Sequence, residues 1–334
     1  MNTHTDRIAA LLNIHAKQVN STIGLLAEGA TIPFIARYRK ELTGSLDEVQ
    51  IEQVEHEYKR LIELEKRKAS ILESIEKQGQ LTDALKQKIT DTWDIHALED
   101  LYLPFKQKRK TRATIAKELG LEPLASTLFK QQIRDIESLA EKFVTDDVPD
   151  VDAALAGARD IMAEWINEHA GIREKLRSLF AREATITTKV VKSKVQEADN
   201  YRDYFDFSEP LKFAKSHRVL AILRAENEGF LRLSIEPDTE KALDLAERIF
   251  IKANNPCAEQ VFLALEDAYK RLLQPSLENE FKKLASEKAQ KEATAVFAEN
   301  VRQLLLQSPL GATRVLAIDP GFRTGCKIVC LDEY

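Results

Sequence analysis

The stretch from Ser45 to Gln78 constrains the fold most, because it holds neither glycine nor proline and is bracketed by Gly44 and Gly79. Ser45-Leu-Asp-Glu48 reads as a capping box, in which the Ser hydroxyl and the Glu carboxylate satisfy free amides at a helix start. Gly79 stands where a helix terminator belongs. A single helix of about 33 residues, about 50 Å long at 1.5 Å per residue, is predicted. Val54, Tyr58, Leu61, Ile62, Ile71, Leu72 and Ile75 give it an intermittent apolar face, and Glu63-Leu-Glu-Lys-Arg-Lys68 is expected to interrupt that face with a solvated charged turn. The expectation is a central strut for shorter helices rather than a sustained coiled coil.

The surrounding pattern is helical too. Asp6–Leu12 and Val19–Glu28 carry helical apolar spacing, with Gly29 at the end of the second. Thr31 is placed to cap the next helix, with Pro33 in its first turn, where a missing N–H costs nothing. Ile32, Phe34 and Ile35 are predicted core, and Arg37 is placed as an internal salt-bridge partner. Short helices are predicted at Asp83–Trp93, Ile95–Leu101 and Arg112–Leu119, the last ending at Gly120. Val144–Val151 reads as a loop before a long helix from about Asp152 to His169. From Ala184 to Tyr204 the helical spacing weakens, His217–Ala225 reads as helix, and Gly229–Ile235 alternates like a strand ended by Pro237. Helical pattern returns from Ala258 to Leu306, with Pro275 at a break or in a first turn. Trp93 and Trp165 read as helix-packing anchors.

Charge excludes a uniformly basic nucleic-acid binder, since the net charge is −5, yet the charges segregate. Leu101–Gly120 holds six bases against one acid, whereas Arg134–Glu168 holds ten acids against three bases. No apolar run approaches the roughly 18 residues of a membrane helix, and no membrane partner is expected. The three cysteines Cys257, Cys326 and Cys330 make no disulfide framework, which fits a reducing cytoplasm. The six histidines are dispersed without metal-ligand spacing, so neither metal nor cofactor is expected. His217-Arg218 reads as structural, beside the small sheet.

At the other end, Val315–Ile318 is an apolar run ending on Asp319, and Cys326–Leu331 is a second such run. Pro320-Gly321 and Thr324-Gly325 read as the turn between them. Cys326 and Cys330 are expected on the buried face of the second strand. Because an isolated hairpin is marginally stable, the chain is expected to be part of a longer protein, ending just inside its next domain.

Four segments carry a resemblance to a known family: Glu28-Gly-Ala-Thr-Ile-Pro-Phe-Ile-Ala-Arg-Tyr-Arg-Lys-Glu41, Leu98-Glu-Asp-Leu-Tyr-Leu-Pro-Phe-Lys-Gln-Lys-Arg-Lys-Thr-Arg-Ala113, Ser216-His-Arg-Val-Leu-Ala-Ile-Leu-Arg-Ala-Glu-Asn-Glu-Gly229 and Val315-Leu-Ala-Ile-Asp-Pro-Gly-Phe-Arg-Thr-Gly-Cys-Lys327. In order along the chain, they resemble the Tex family of bacterial transcription accessory proteins. One departure is Ala225, where glycine is expected at a turn. The resemblance implies that residues 315–327 open a YqgF, RNase H-like domain, a type often degenerate for nuclease activity. It also implies helix-hairpin-helix elements and an RNA-binding OB-fold beyond Tyr334.

Chemistry concentrates in few places. In an RNase H-like site a first-strand carboxylate helps to hold two metals that activate water. Asp319 occupies that place, but the converging carboxylates come from later strands, so it is read as vestigial or incomplete, or as capping the Pro320-Gly321 turn. The chain is therefore expected to be non-catalytic. The basic run Lys106, Lys108, Arg109, Lys110 and Arg112 follows Tyr102 and Phe105, and Thr111 is placed to cap the next helix. Phosphate could meet cationic side chains and a helix start together. The alternative is a solvated loop that pairs with the acidic stretch after Arg134. Arg39 and Lys40, beside Tyr38, form a second, weaker cationic candidate. A helix-turn-helix over residues 19–41 is an analogy only, and sequence-specific reading is not expected.

The expected fold is mainly α: an elongated multi-helix scaffold with a long central helix, a helix-turn-helix-like N-terminal part, a small β element near 229–235 and an incomplete RNase H-like hairpin. The expected division is 1–200, an N-terminal helical domain; 201–310, a helical middle region with the β element; and 311–334, the start of the next domain. The expected function is backbone binding of RNA or of single- or double-stranded DNA near transcription or translation machinery. The alternative is a protein-interaction scaffold docking on polymerase or ribosome, with RNA binding confined to an OB-fold beyond Tyr334.

Overall fold

A computed structural model describes residues 3–106, 110–321 and 325–334, and these are mainly α-helical. In chain order the helices are α1 (Thr3–Leu12), α2 (Ala16–Ala27), α3 (Ile32–Tyr38), α4 (Lys40–Thr43), α5 (Glu48–Lys77), α6 (Asp83–Asp91), α7 (Ile95–Tyr102), α8 (Arg112–Glu118), α9 (Glu122–Phe129), α10 (Ile136–Glu141), α11 (Val151–Glu168) and α12 (Ala170–Glu183). Strands β1 (Thr185–Val190) and β2 (Asp206–Pro210), helix α13 (Ser216–Asn227) and strand β3 (Leu231–Glu236) follow. Helices α14 (Thr239–Phe250), α15 (Pro256–Ala268) and α16 (Gln274–Leu305) precede a final hairpin, β4 (Val315–Gly321) and β5 (Gly325–Leu331). Contacts divide the chain into two units, Met1–Ser178 with Ala242–Leu273, and Leu179–Lys241 with Gln274–Tyr334. Among the described residues, no helix is long and apolar enough to cross a membrane.

In the first unit α5 is the predicted long helix, but its cap lies two residues later than expected. The Asp47 carboxylate accepts the Gln50 N–H at 2.7 Å, and the Gln50 side chain accepts the Asp47 N–H at 3.1 Å. Ser45 cannot open the helix, because its own amide closes α4 on the Lys40 carbonyl at 2.9 Å and its φ is 63°. Thr31 likewise precedes α3 without donating or accepting a side-chain cap bond.

The buried stripe of α5 is Ile51, Val54, Leu61, Leu64, Lys68, Ile71 and Ile75. It runs through the turn predicted to be solvated, and Lys68 is only 3% exposed. The lysine stem packs as an apolar rod while its ammonium is satisfied. Nζ donates to the Thr90 carbonyl at 2.8 Å and to Glu65 at 3.0 Å, and it stands 4.0 Å from the ring centre of Trp93. Arg7 of α1 lies over the same ring at 3.9 Å. Three clusters line the stripe. Ile51 packs with Leu25 and Ile35, Val54 and Leu61 with Ile8 and Val19, and Ile71 and Ile75 with Ile89 and Leu98. Phe34, predicted core, is instead exposed beside the buried Ile35.

Helices α8 and α9 pack on α11, where a Cβ at Gly157 would overlap Leu121 Cδ1 and meet Ala116 Cβ at 3.4 Å. The predicted loop before α11 contains a single bridge, Thr145 to Val148. Trp165 meets Phe129 edge-on at 5.7 Å, as a packing anchor. A buried glutamine then ties α9 to a segment more than a hundred residues away. Gln131 Nε2 donates to the Phe250 carbonyl at 2.7 Å, and its Oε1 accepts the amides of Lys252 and Ala253 at 2.8 and 3.2 Å. Asn255 donates to the Gln131 carbonyl at 2.8 Å, and the Cys257 thiol donates to Ile133 O at 2.9 Å.

The predicted strand near 229–235 is β3, which joins an antiparallel sheet of order β2-β1-β3. Ile186 and Thr188 of β1 face Ile235 and Leu233, and Glu278 of α16 accepts the Ile235 amide at 2.9 Å. Arg218 pairs with Glu209 of β2 at 2.8 Å. Ala225 is fully buried inside α13, and the turn that follows is made by Gly229 at φ 74°. Alanine at 225 therefore leaves the turn geometry untouched. A π-helical turn, Tyr269–Leu273, precedes Pro275 in the first turn of α16. Proline has no N–H for the carbonyl four residues back, and the ladder adjusts there.

The final hairpin pairs Asp319 with Lys327, Pro320 with Cys326 and Gly321 with Gly325. Pro320-Gly321 is thus strand rather than turn, and the connection, 322–324, lies outside the described residues. Cys326 and Cys330, predicted buried, are both exposed, as is every other residue of β5.

Replacing Gln131 by alanine should lower unfolding stability by about 2–3 kcal/mol, since each buried polar group left without a partner costs about 1–3 kcal/mol. Urea unfolding followed by circular dichroism measures this.

Candidate nucleic-acid interface

The basic run begins on a turn clasped to the end of α5. The Tyr102 hydroxyl lies 3.0 Å from Ser74 Oγ, and Gln78 Nε2 donates to the Phe105 carbonyl at 2.9 Å. Two further residues of the same segment anchor it through charge. Glu99 takes a two-pronged contact from Arg67, at 2.5 and 2.9 Å. Asp100 is buried and accepts from Arg173 at 2.6 Å and from Arg177 at 2.9 Å, while Arg173 also donates to Asn167 at 3.2 Å. The Glu99 bond raises the Arg67 guanidinium further above its ordinary value. Sequence reasoning missed this network, whose partners on α12 give no local signal.

The far end of the run is fixed by Thr111, which caps α8 as predicted. Its hydroxyl oxygen accepts the Thr114 amide at 3.1 Å and lies 3.3 Å from Glu164 of α11. The cap occupies part of the helix start that a phosphate would have used, and α8 has only seven residues. Lys106 and Lys110 between these anchors, and Arg112 just after Thr111, are exposed. Lys108 and Arg109 lie outside the described residues. Lys110 pairs with Glu118 at 2.9 Å, both exposed, an arrangement that contributes little energy and opens readily. Lys117 reaches Glu164 at 3.7 Å, so part of the acidic stretch does face this basic segment. Asp160 of the same helix is half-buried. Burial pushes its carboxyl above the ordinary range, against the opposing fields of Arg271, Arg112 and Arg159.

The second candidate group lies elsewhere. Arg37 pairs with Glu48 in the first turn of α5 at 3.6 Å, an exposed pair rather than the internal one expected, whereas Gln78, which holds Phe105, follows the last turn. The two groups of cations therefore sit at opposite ends of a 30-residue helix, about 45 Å apart along its axis at 1.5 Å per residue. Lys40 is exposed. Arg39 donates to the Tyr38 carbonyl at 3.0 Å and lies over the Phe34 ring at 5.0 Å. Phe34 and Tyr38 are 39% and 63% exposed, with ring centres 5.4 Å apart. The group is thus an exposed aromatic pair with an arginine on it. Sequence reading assigned Phe34 to the core, because spacing alone does not separate adjacent helix positions 34 and 35. Helices α2 and α3 are joined by a short turn in which Gly29 takes φ 88°.

Asp319 stands opposite Lys327 in the exposed hairpin. It belongs to the second unit, apart in sequence and in unit from both cationic groups.

Changing Asp100 to asparagine should cost about 3 kcal/mol, because it leaves two arginine charges short of a buried partner; the shift in urea midpoint reads it. For Asp160 the raised folded value means that the wild type loses stability as pH rises from the ordinary carboxylate range through that value. Asp160→Asn should flatten this dependence, gaining stability at neutral pH and nothing in acid, as unfolding midpoints across pH will show.

Residues 2–76 match the family model described as the Tex-like protein N-terminal domain, and residues 131–297 match the Tex central region-like model. The chain is 42% identical over 322 residues to the transcriptional accessory protein Tex of Neisseria gonorrhoeae, covering 95% of this chain and 42% of that protein. It is 40% identical over 343 residues to the protein tex of Bordetella pertussis, covering 98% of this chain and 43% of the relative. With the human S1 RNA-binding domain-containing protein 1 it shares 28% identity over 337 residues, 96% of this chain and 34% of the other. The chain thus spans less than half the length of these curated relatives. On both family models and on identity along nearly its whole length, the chain belongs to the Tex family.

Proposed function

We propose that this chain is a non-catalytic, backbone-binding surface for RNA or single-stranded DNA that acts in transcription. The observation that carries the reading is the clasped basic run. Lys106, Lys110 and Arg112 are exposed on a segment tied at one end to α5 and at the other to α11. Anchoring the residues that flank the run, at Phe105 and Thr111, lowers the ordering cost when a phosphate chain binds. Lys108 and Arg109 belong to the same run in sequence. The names of two relatives, a transcriptional accessory protein and an S1 RNA-binding domain-containing protein, support the setting. The exposed Phe34, Tyr38 and Arg39 group, with Lys40 beside it, supplies rings on which bases stack without regard to sequence. In this reading α5 sets the spacing between a stacking end and a phosphate end.

Anisotropy of a labelled single-stranded RNA, and of its DNA equivalent, across a salt series tests this. Changing Lys106, Lys110 and Arg112 together to glutamate should weaken binding and flatten the log–log salt slope by about 2, at about 0.7 per phosphate contact. Absence of binding at low salt by the wild-type chain would instead support a protein-interaction scaffold.

A further inference from the structure

The second unit carries a groove that the nucleic-acid reading does not use. It has a volume of about 160 Å³ and runs between the segment after β2 and helix α16. Its walls are mostly apolar, with Val219, Phe281, Leu284 and Ala285 prominent. Phe281 is held from behind by Phe180, with ring centres 5.4 Å apart, so this wall is part of the packed core. The volume lies below the roughly 300–1,000 Å³ of small-molecule and cofactor sites. It suits one bulky apolar side chain.

The rim of the groove is cationic. Lys212 and Lys288 line it, and Lys215 stands between the lining residues Ala214 and Ser216. All three lysines are exposed, and among the described residues none is paired with a carboxylate. By contrast Lys282 is taken by Glu226, and Lys283 by Glu287, on the same helix α16. One acid reaches the rim: Glu292 accepts a hydrogen bond from the Ser216 hydroxyl, which occupies both groups. Phe213, 67% exposed, adds an apolar shelf with Lys212 Nζ at 4.8 Å from its ring centre.

We infer that this groove docks a short acidic segment of a partner protein, with one leucine- or phenylalanine-sized anchor in the groove and flanking carboxylates on Lys212, Lys215 and Lys288. Charge complementarity selects the occupant. Three unpaired ammonium groups around an apolar slot match an anchor between Asp or Glu residues, and such rims steer and orient partners. A nucleobase fits less well. The one lining hydroxyl is bonded to Glu292, and the lining lysines donate but cannot accept, so the N–H groups of a base edge would find no side-chain acceptor.

The test uses the whole chain and fluorescein-labelled peptides: one leucine flanked by glutamates, the same peptide with alanine as anchor, and one with lysine flanks. The glutamate-flanked leucine peptide should bind, and the other two should bind about tenfold or more weakly. The double variant Lys212→Glu, Lys288→Glu should lose about tenfold, as should Ala285→Trp, which fills the groove from a half-exposed position. Circular dichroism and thermal midpoints check that both variants remain folded. The proposal is overturned if no peptide binds, if binding ignores anchor and charge, or if folded variants bind as wild type does. It also fails if a single-stranded RNA displaces the peptide and loses affinity in the same two variants.

Discussion

A lysine ammonium in the middle of an apolar stripe decides how the N-terminal helices can pack. On sequence spacing the face of α5 breaks at Glu63–Lys68, which would leave two short apolar patches. The structure closes that gap by burying Leu64 and Lys68 and placing the ammonium among Thr90, Glu65 and the Trp93 ring. One continuous seam then serves α1 and α2 on one stretch and α6 and α7 on another. Each fully buried Ile, Leu or Val contributes about 1.5–3 kcal/mol. The solvent-facing pairs along the outer face, such as Lys59–Glu55 and Lys77–Glu73, are screened by water and contribute little. Packing, not surface charge, therefore holds the strut. The seam depends on Lys68 finding all three partners.

The segments that carry the family resemblance divide by physical role. Glu99, Asp100, Tyr102 and Phe105 are spent inside the protein, each bonded to a helix that the segment must be held against. Of the cations that follow, Lys106, Lys110 and Arg112 are exposed. One contiguous stretch thus supplies both the clasp and the surface that the clasp presents. The N-terminal segment repeats this on a smaller scale, with Ile35 and Ala36 buried and Phe34, Tyr38 and Lys40 turned outward.

What the sequence made legible was local. Gly29, Gly79 and Gly120 follow helix ends with positive φ, Thr111 caps α8, and β3 shows in its alternation. These features need only neighbouring residues. The misreadings all depend on partners distant in sequence or on competition between neighbours. Ser45 and Asp47 both suit a helix start, and the choice between them is made by the Lys40 carbonyl, which takes the Ser45 amide. The buried state of Lys68 depends on Thr90 and Trp93. The central strand β1 looked only like weak helix, because Thr185–Val190 shows itself through pairing on both edges. The Asp100 and Gln131 networks join residues 73 or more apart. For the candidate surface, the cations were legible as a charge run, but their separation from Arg39 and Lys40 by the length of α5 was not.

The first unit is built from two separated stretches of chain, and this sets an order on its assembly during synthesis. The three clusters of the α5 seam use residues only up to Phe105, so it can form while the rest is still being made. The Gln131 amide has no such freedom, because its partners at Phe250, Lys252 and Ala253 emerge 119 to 122 residues later. Until then the apolar face of α11 that receives α15 has no cover. At ribosomal rates of about 5–20 residues per second, that interval lasts several seconds. During it the nascent chain presents an uncovered helical face to whatever surrounds the ribosome exit.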